Sequence, residues 1–103
     1  MADPAIKVGD LTLWPGQRLV QRKDVPLELT STEFNLLEVL ARHAGQAVSR
    51  ADLSALALGR PLARFDRNVD VHLSSLRHKV GKLEDGRFCI QTVYRQGYQL
   101  IWE

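Results

Sequence analysis

The sequence predicts an α+β domain: an N-terminal antiparallel sheet, three helices and a C-terminal β-hairpin. Three observations predict it. Apolar residues pair or alternate over 6–29 and again over 88–102, as short strands do. Between them the spacing turns helical in three segments, each opened by a capping residue or closed by a glycine. A length of 103 residues accommodates one hydrophobic core and no second.

Ile6, Val8, Leu11, Leu13 and Trp14 form apolar groups broken by Gly9-Asp10 and ended by the turn signal Pro15-Gly16. Leu19 and Val20 make a second short run, and Lys23-Asp24 a turn. Val25, Leu27 and Leu29 then alternate as a further strand. Residues 1–5 read as a leader and 6–103 as the domain. Thr30-Ser31-Thr32-Glu33 has the form of a capping box with Thr30 as N-cap. Phe34, Leu37, Leu40 and Ala41 follow at helical spacing, and Gly45 suits the stop. Ser49 caps a second, shorter helix through Leu53, Leu56 and Ala57, ended by Gly59 and Pro61. Phe88 and Ile90, a tip at Tyr94–Gly97, and Tyr98, Leu100 and Trp102 make the hairpin.

The third helix carries the most information. It is expected from Arg67 to about Lys82, with Asp66 as its N-cap. At about 100° per residue, Val69, Leu73, Leu76 and Val80 cluster on one side, while Arg67, Val71, Ser74 and His78 fall on the other. The charge follows the same segment. Residues 1–63 balance at seven basic and seven acidic side chains, whereas 64–82 hold five basic against two acidic, within a net charge of only +2. One helix thus offers an apolar face to the core and a small, polar, basic face to the outside. A solvated surface helix would share part of this pattern.

Other chemistries fit less well. Hydrophobic residues make up 45% and charged residues 25%, the balance of a folded domain rather than a disordered tail. The single cysteine, Cys89, sits in an apolar run and reads as a small buried hydrophobe in a reducing, cytoplasmic setting. His43, His72, His78 and Cys89 match no zinc-ligand spacing. There is no glycine-rich phosphate loop or nucleophile elbow, so neither an enzyme nor a bound cofactor is expected. No apolar run reaches membrane-spanning length.

Duplex DNA suits the third helix. A helix entering the major groove needs a packed face and a face of small, hydrogen-bonding side chains. Val71 can touch a thymine methyl, and Ser74 and Ser75 can bond base edges or phosphate. Arg67, Arg77, His78, Lys79 and Lys82 can pair with phosphates. The hairpin tip, with Tyr94, Arg95 and Gln96, suits a neighbouring minor groove or backbone. Asp70 is expected to form a structural ion pair with Arg67 or Arg77, and Tyr98 to sit in the core or at its rim. Trp14 and Trp102 are expected to pack on the sheet or core.

These pieces also carry a resemblance. The strings Leu29–Leu37, Gly45–Arg50, Arg67–Lys79 and Gly97-Tyr98 resemble the OmpR/PhoB-type C-terminal effector domain over about residues 6–102. The stretches Leu58–Leu62 and Phe65–Arg67 are most similar to its CpxR branch. The resemblance implies a winged helix-turn-helix, with phosphate contacts at Arg67, His72, Arg77, Thr92 and Tyr98 and base reading at Val71, Ser75 and the wing. The full DNA-contacting set is then Arg67, Asn68, Val71, His72, Ser74, Ser75, Arg77, His78, Lys79, Thr92, Tyr94, Arg95 and Tyr98. It further implies contact with RNA polymerase through Gly59, Arg60, Leu62 and Arg64. The partners it implies are tandem DNA half-sites bound by head-to-tail dimers, a receiver domain absent from this chain, and the sensor histidine kinase acting on that receiver; free of DNA the domain is expected to be a monomer. Two departures stand out. Serines occupy 74 and 75, where the family often has a basic side chain. The wing reads Tyr94-Arg95-Gln96-Gly97-Tyr98, with its arginine displaced and its first glycine missing. A winged-helix protein-interaction module and the DNA-binding domain of a receiver-less, membrane-anchored activator are the alternatives.

Overall fold

The computed structural model describes residues 5–58 and 68–102, apart from the side chains of Leu58 and Asn68. Four short strands open the chain: β1 (Ile6–Val8), β2 (Leu11–Trp14), β3 (Leu19–Arg22) and β4 (Val25–Pro26). They form one antiparallel sheet in the order β1-β2-β3-β4, with Val8 opposite Leu11 and Leu13 opposite Val20. Lys23 and Asp24 both adopt positive φ, 51° and 66°. That turn twists with the strands it joins, which is why two residues suffice to reverse the chain. Val8, Leu11, Leu13 and Val20 are the buried face.

The strand expected through Leu29 stops at Pro26. One more bond, from the Leu27 N–H to the Val20 carbonyl at 3.0 Å, closes the ladder before the chain turns toward its first helix. That helix, α1 (Ser31–Arg42), begins as the sequence predicts. The Glu33 N–H donates to Thr30 Oγ1 at 3.2 Å, and the Thr30 N–H donates to Glu33 Oε1 at 2.9 Å. Phe34, Leu36, Leu37, Leu40 and Ala41 are buried beneath the sheet and the later helices.

Val48 links the helices to the C-terminal hairpin by exchanging two backbone hydrogen bonds with Tyr98, of 2.7 and 2.9 Å. Ser49 then caps α2 (Arg50–Leu53), its Oγ accepting from the Asp52 N–H at 3.0 Å. Over Ser54–Leu58 the helix widens into a π turn. There Leu56 is 62% exposed, while Ser54 and Ala57 are buried.

The third helix, α3 (Asn68–Val80), is two residues shorter at its C-terminus than expected. Gly81, at φ 92°, takes the left-handed conformation that ends a helix, and Lys82 already pairs with Phe88 in an extended bridge. Strands β5 (Ile90–Val93) and β6 (Gly97–Leu100) form the hairpin, with Ile90 and Leu100 closing the core. Trp102 lies past the last strand, its side chain folded over Gly9 and Gly45. Among the described residues no buried side-chain polar atom lacks a partner.

Candidate nucleic-acid interface

The two faces of α3 are those its periodicity dictates. Val69, Leu73, Leu76 and Val80 are buried, each at 3% exposure or less, and pack against α1 and the hairpin root. Val71 is 63% exposed, and Ser74, Ser75, His78 and Lys79 are exposed beside it. His72 and Arg77 are half-buried at the edges of that face. The methyl groups of Val71, set among short polar side chains, could meet a thymine methyl in a major groove.

Three polar anchors fix the helix so that this face is presented. Near its N-terminus, Asp70 accepts from Arg50 of α2 through two bonds, Nε to Oδ1 at 3.1 Å and Nη2 to Oδ2 at 2.7 Å. Asp70 Oδ1 also accepts the Tyr98 hydroxyl proton at 2.7 Å. Among the described residues the cation of Asp70 is Arg50, where Arg67 or Arg77 was expected; Arg67 lies outside the described residues. Burial pushes the Tyr98 phenol up to about 12, and the hydrogen bond and negative charge of Asp70 push the same way.

Farther along, Lys79 Nζ reaches Glu33 Oε1 at 2.7 Å. Glu33 is only 2% exposed. Burial alone would raise its pKa, but hydrogen bonds from Lys79, Ser75 and the Thr30 backbone outweigh burial and hold the carboxyl at about 2. The capping carboxylate of α1 is thus also the counter-ion of α3. The third anchor, Arg22, holds the far end of the helix. Phe88 supports the last turn: His78 meets its ring edge-on at 5.5 Å, and Arg77 and Lys82 lie over it at 5.7 and 5.0 Å.

The hairpin tip projects beside the helix. Tyr94 is 81% exposed and Arg95 lies 5.2 Å from its ring centroid, an exposed aromatic–cation pair at the turn. Arg95 has φ 62° and Gly97 φ 127°, and the Gln96 N–H closes the turn on the Val93 carbonyl at 2.9 Å. Thr92 is exposed directly across the ladder from Tyr98.

The structure therefore brings Val71, His72, Ser74, Ser75, Arg77 and His78 onto one helix face, with Thr92, Tyr94 and Arg95 on the adjoining wing. It turns three members of the expected set toward the protein: Lys79 and Ser75 to Glu33, and Tyr98 to Asp70. Arg67, Asp66, the side chain of Asn68 and the polymerase-contact loop Gly59, Arg60, Leu62 and Arg64 lie outside the described residues. Arg50, Glu33 and Arg22 were missed as supports of the site. Glu33 alone carried a local signal, as the box residue, and that signal pointed to a cap rather than an ion pair. Among the described residues no cluster of His, Cys, Asp and Glu could hold a metal ion, and no helix is long and apolar enough to cross a membrane.

Tyr98→Phe isolates one anchor. It should lower stability by about 1–2 kcal/mol, since it removes one hydrogen bond to a carboxylate that keeps its arginine. The chain has two tyrosines, so absorbance titration should show one phenol ionising near pH 12 that vanishes in the variant. Survival of that high step in Tyr98→Phe would assign it to Tyr94 and refute the Asp70 contact.

The comparison with known proteins gives a consistent pattern. The family described as "Transcriptional regulatory protein, C terminal" matches residues 24–100. The transcriptional regulatory protein CpxR of Klebsiella pneumoniae is 43% identical over 98 residues, which is 95% of this chain and 42% of that protein. The chain thus spans less than half the length of the relatives it matches. The crystal structure of the DNA-binding domain of CpxR from E. coli superposes with a TM-score of 0.86 at 41% identity, covering 97% of this chain and 98% of that one. The Klebsiella pneumoniae RstA DNA-binding domain, crystallised in complex with the RstA box, superposes at 0.83 with 34% identity, covering 94% and 96%.

Proposed function

Because the chain belongs to the family of transcriptional regulatory protein C-terminal domains, we propose that it binds double-stranded DNA sequence-specifically as the effector domain of a two-component response regulator. The observation that carries this reading is the two-faced helix α3. One face is locked into the core, and the other exposes Val71 among serines and a histidine. In this reading α3 enters the major groove. Val71 and Ser74 face base edges, joined by Ser75 where its hydroxyl leaves Glu33, while Arg77, His72, His78 and Thr92 meet phosphates. Arg67 and Asn68 extend the same contact at the start of the helix. The wing, with Tyr94 and Arg95, lies along the adjacent minor groove or backbone.

Lys79 and Tyr98 contribute chiefly by holding α3, because each is already bonded to a carboxylate, as the Ser75 hydroxyl is to Glu33. The proposal includes tandem half-sites occupied head to tail, a monomer in the absence of DNA, and RNA polymerase contact through residues 59–64. It also includes a receiver domain elsewhere in the parent protein, a sensor kinase acting on that receiver, a cytoplasmic location, and no catalytic activity or cofactor.

Anisotropy titrations of a two-half-site duplex and its scrambled counterpart test the reading. Arg77→Ala should weaken both duplexes by about threefold and reduce the salt slope by about 1, as the loss of one phosphate contact does. Val71→Ala should weaken only the specific duplex, by about fivefold. Affinity indifferent to salt and to both changes would replace DNA with a protein partner.

A further inference from the structure

The C-terminal end of α3 is held from the N-terminal sheet. Arg22 ends β3, and its side chain, only 13% exposed, reaches across to the helix. Nη1 donates to the Val80 carbonyl and Nη2 to the Lys82 carbonyl, both at 2.7 Å. Nε donates to Asp10 Oδ1 at 3.1 Å. The last carbonyls of any helix lack donors within it and carry the negative end of its dipole. Val80 supplies one such carbonyl and Lys82, just past the helix, a second acceptor; a planar guanidinium can reach both at once, whereas an ammonium is a single point.

The neighbourhood is shaped around this contact. Gly81 has φ 92°, and a Cβ there would stand 3.1 Å from Arg22 Nη1. Asp10 steadies the guanidinium from the β1–β2 turn. That turn is itself tied down, the Lys23 N–H donating to the Asp10 carbonyl at 2.9 Å. Beyond the clamp, the Cys89 N–H donates to the Gly81 carbonyl at 3.1 Å, so the end of the helix runs directly into the hairpin root.

We infer that Arg22 is a positioning residue for base reading, a two-carbonyl clamp that sets where α3 lies along its own axis. The inference rests on the DNA-binding reading above. A helix advances about 1.5 Å per residue and stacked bases about 3.4 Å, so a slip of one residue shifts Val71 and Ser74 by nearly half a base step. Phosphate contacts through long side chains tolerate such a slip; contacts through a valine methyl and a serine hydroxyl do not. Loss of the clamp therefore acts on the ratio of specific to non-specific affinity rather than on affinity for DNA in general.

The probes are duplexes selected on the unaltered domain from a randomised library, with the best duplex compared to its scrambled form. Unaltered domain, Arg22→Met and Arg22→Lys are titrated at fixed salt, below the melting transition of each variant. Arg22→Met should lower the specificity ratio about tenfold and leave the scrambled duplex within about twofold. Arg22→Lys, reaching one carbonyl at a time, should lower the ratio about threefold, and it carries the test alone if the methionine variant does not fold. A ratio unchanged within about twofold in the folded variants, or equal weakening of both duplexes, overturns the positioning role. Failure of the unaltered domain to enrich any duplex is seen before a variant is made, and it removes the DNA-binding reading together with this inference.

Discussion

Gly97→Ala is expected to destabilise the domain by about 3–5 kcal/mol and lower its melting temperature by roughly 15 °C or more. Gly97 opens β6 at φ 127°, a conformation that side-chain-bearing residues reach only under strain. A Cβ there would overlap the Val48 carbonyl oxygen, and it would lie 2.7 Å from the Val48 carbonyl carbon and 2.8 Å from Ser49 Cα. All three are backbone atoms and cannot swing aside as a side chain would. The next residue exchanges its two backbone hydrogen bonds with Val48 and donates its hydroxyl proton to Asp70. Relief of the overlap therefore separates the wing from the helices and withdraws an anchor of α3. Gly86→Ala is the control: φ is 93° there, but nothing lies within 4 Å of the new methyl. It should cost only about 1 kcal/mol, the conformational part. Chemical denaturation of the two variants side by side measures the difference, and equal midpoints would show that Val48 does not crowd Gly97.

The second large effect concerns Glu33. Glu33→Ala should cost about 2–4 kcal/mol, because it removes the box partner of Thr30 and leaves Lys79 without its buried counter-ion. The Lys79 side chain is 38% exposed and can turn to water, which limits the loss. Glu33→Gln keeps the shape and one acceptor and should cost less. Acid provides the sharper test. The folded carboxyl titrates at about 2 against an ordinary 4.5. Its contribution is therefore complete above about pH 4.5 and is lost as the pH falls toward 2, on the order of 3 kcal/mol over that window. Urea midpoints for the unaltered protein and Glu33→Gln should converge between pH 6 and pH 2.5. A gap that stays constant across that range would mean that Glu33 is not held ionised by Lys79.

Local chemistry was the legible part of the sequence. Thr30 and Glu33 announced the start of α1, and Lys23-Asp24 announced a tight turn. The period of Val69, Leu73, Leu76 and Val80 placed the buried face of α3, because each of these signals depends only on neighbours in the chain. The motif set also indicated the family that residues 24–100 match. Two boundaries were misread for physical reasons. Gly81 sat inside an apparent helical pattern, yet its left-handed backbone ends the helix. The alternation of Val25, Leu27 and Leu29 continued past Pro26, yet the ladder closes with the Leu27 N–H on the Val20 carbonyl. What supports the site was not legible at all. Arg50 finds Asp70 across 20 positions, Lys79 finds Glu33 across 46, and Arg22 finds Lys82 across 60. Such pairs are chosen by the packing of whole elements, and no spacing rule in one sequence encodes them.

The pairing of Val48 with Tyr98 also bears on the order in which the domain assembles. The two residues are 50 positions apart, and the hydrogen bond from the Gly45 N–H to the Leu100 carbonyl spans a still longer loop. Closing a loop of that size must be offset before its contacts return any stability, so these bonds belong to the late stages of folding. During synthesis the N-terminal sheet and α1 can pair as they emerge, while Val48 waits for nearly the last residues of the domain. Tyr98 reaches Asp70 only through that closure, so α3 gains the hydroxyl part of its N-terminal anchor at the same moment, beside the Arg50 bonds to the same carboxylate. Until the hairpin closes, α3 lacks the Tyr98 contact and keeps only the anchors from Arg50, Glu33 and Arg22.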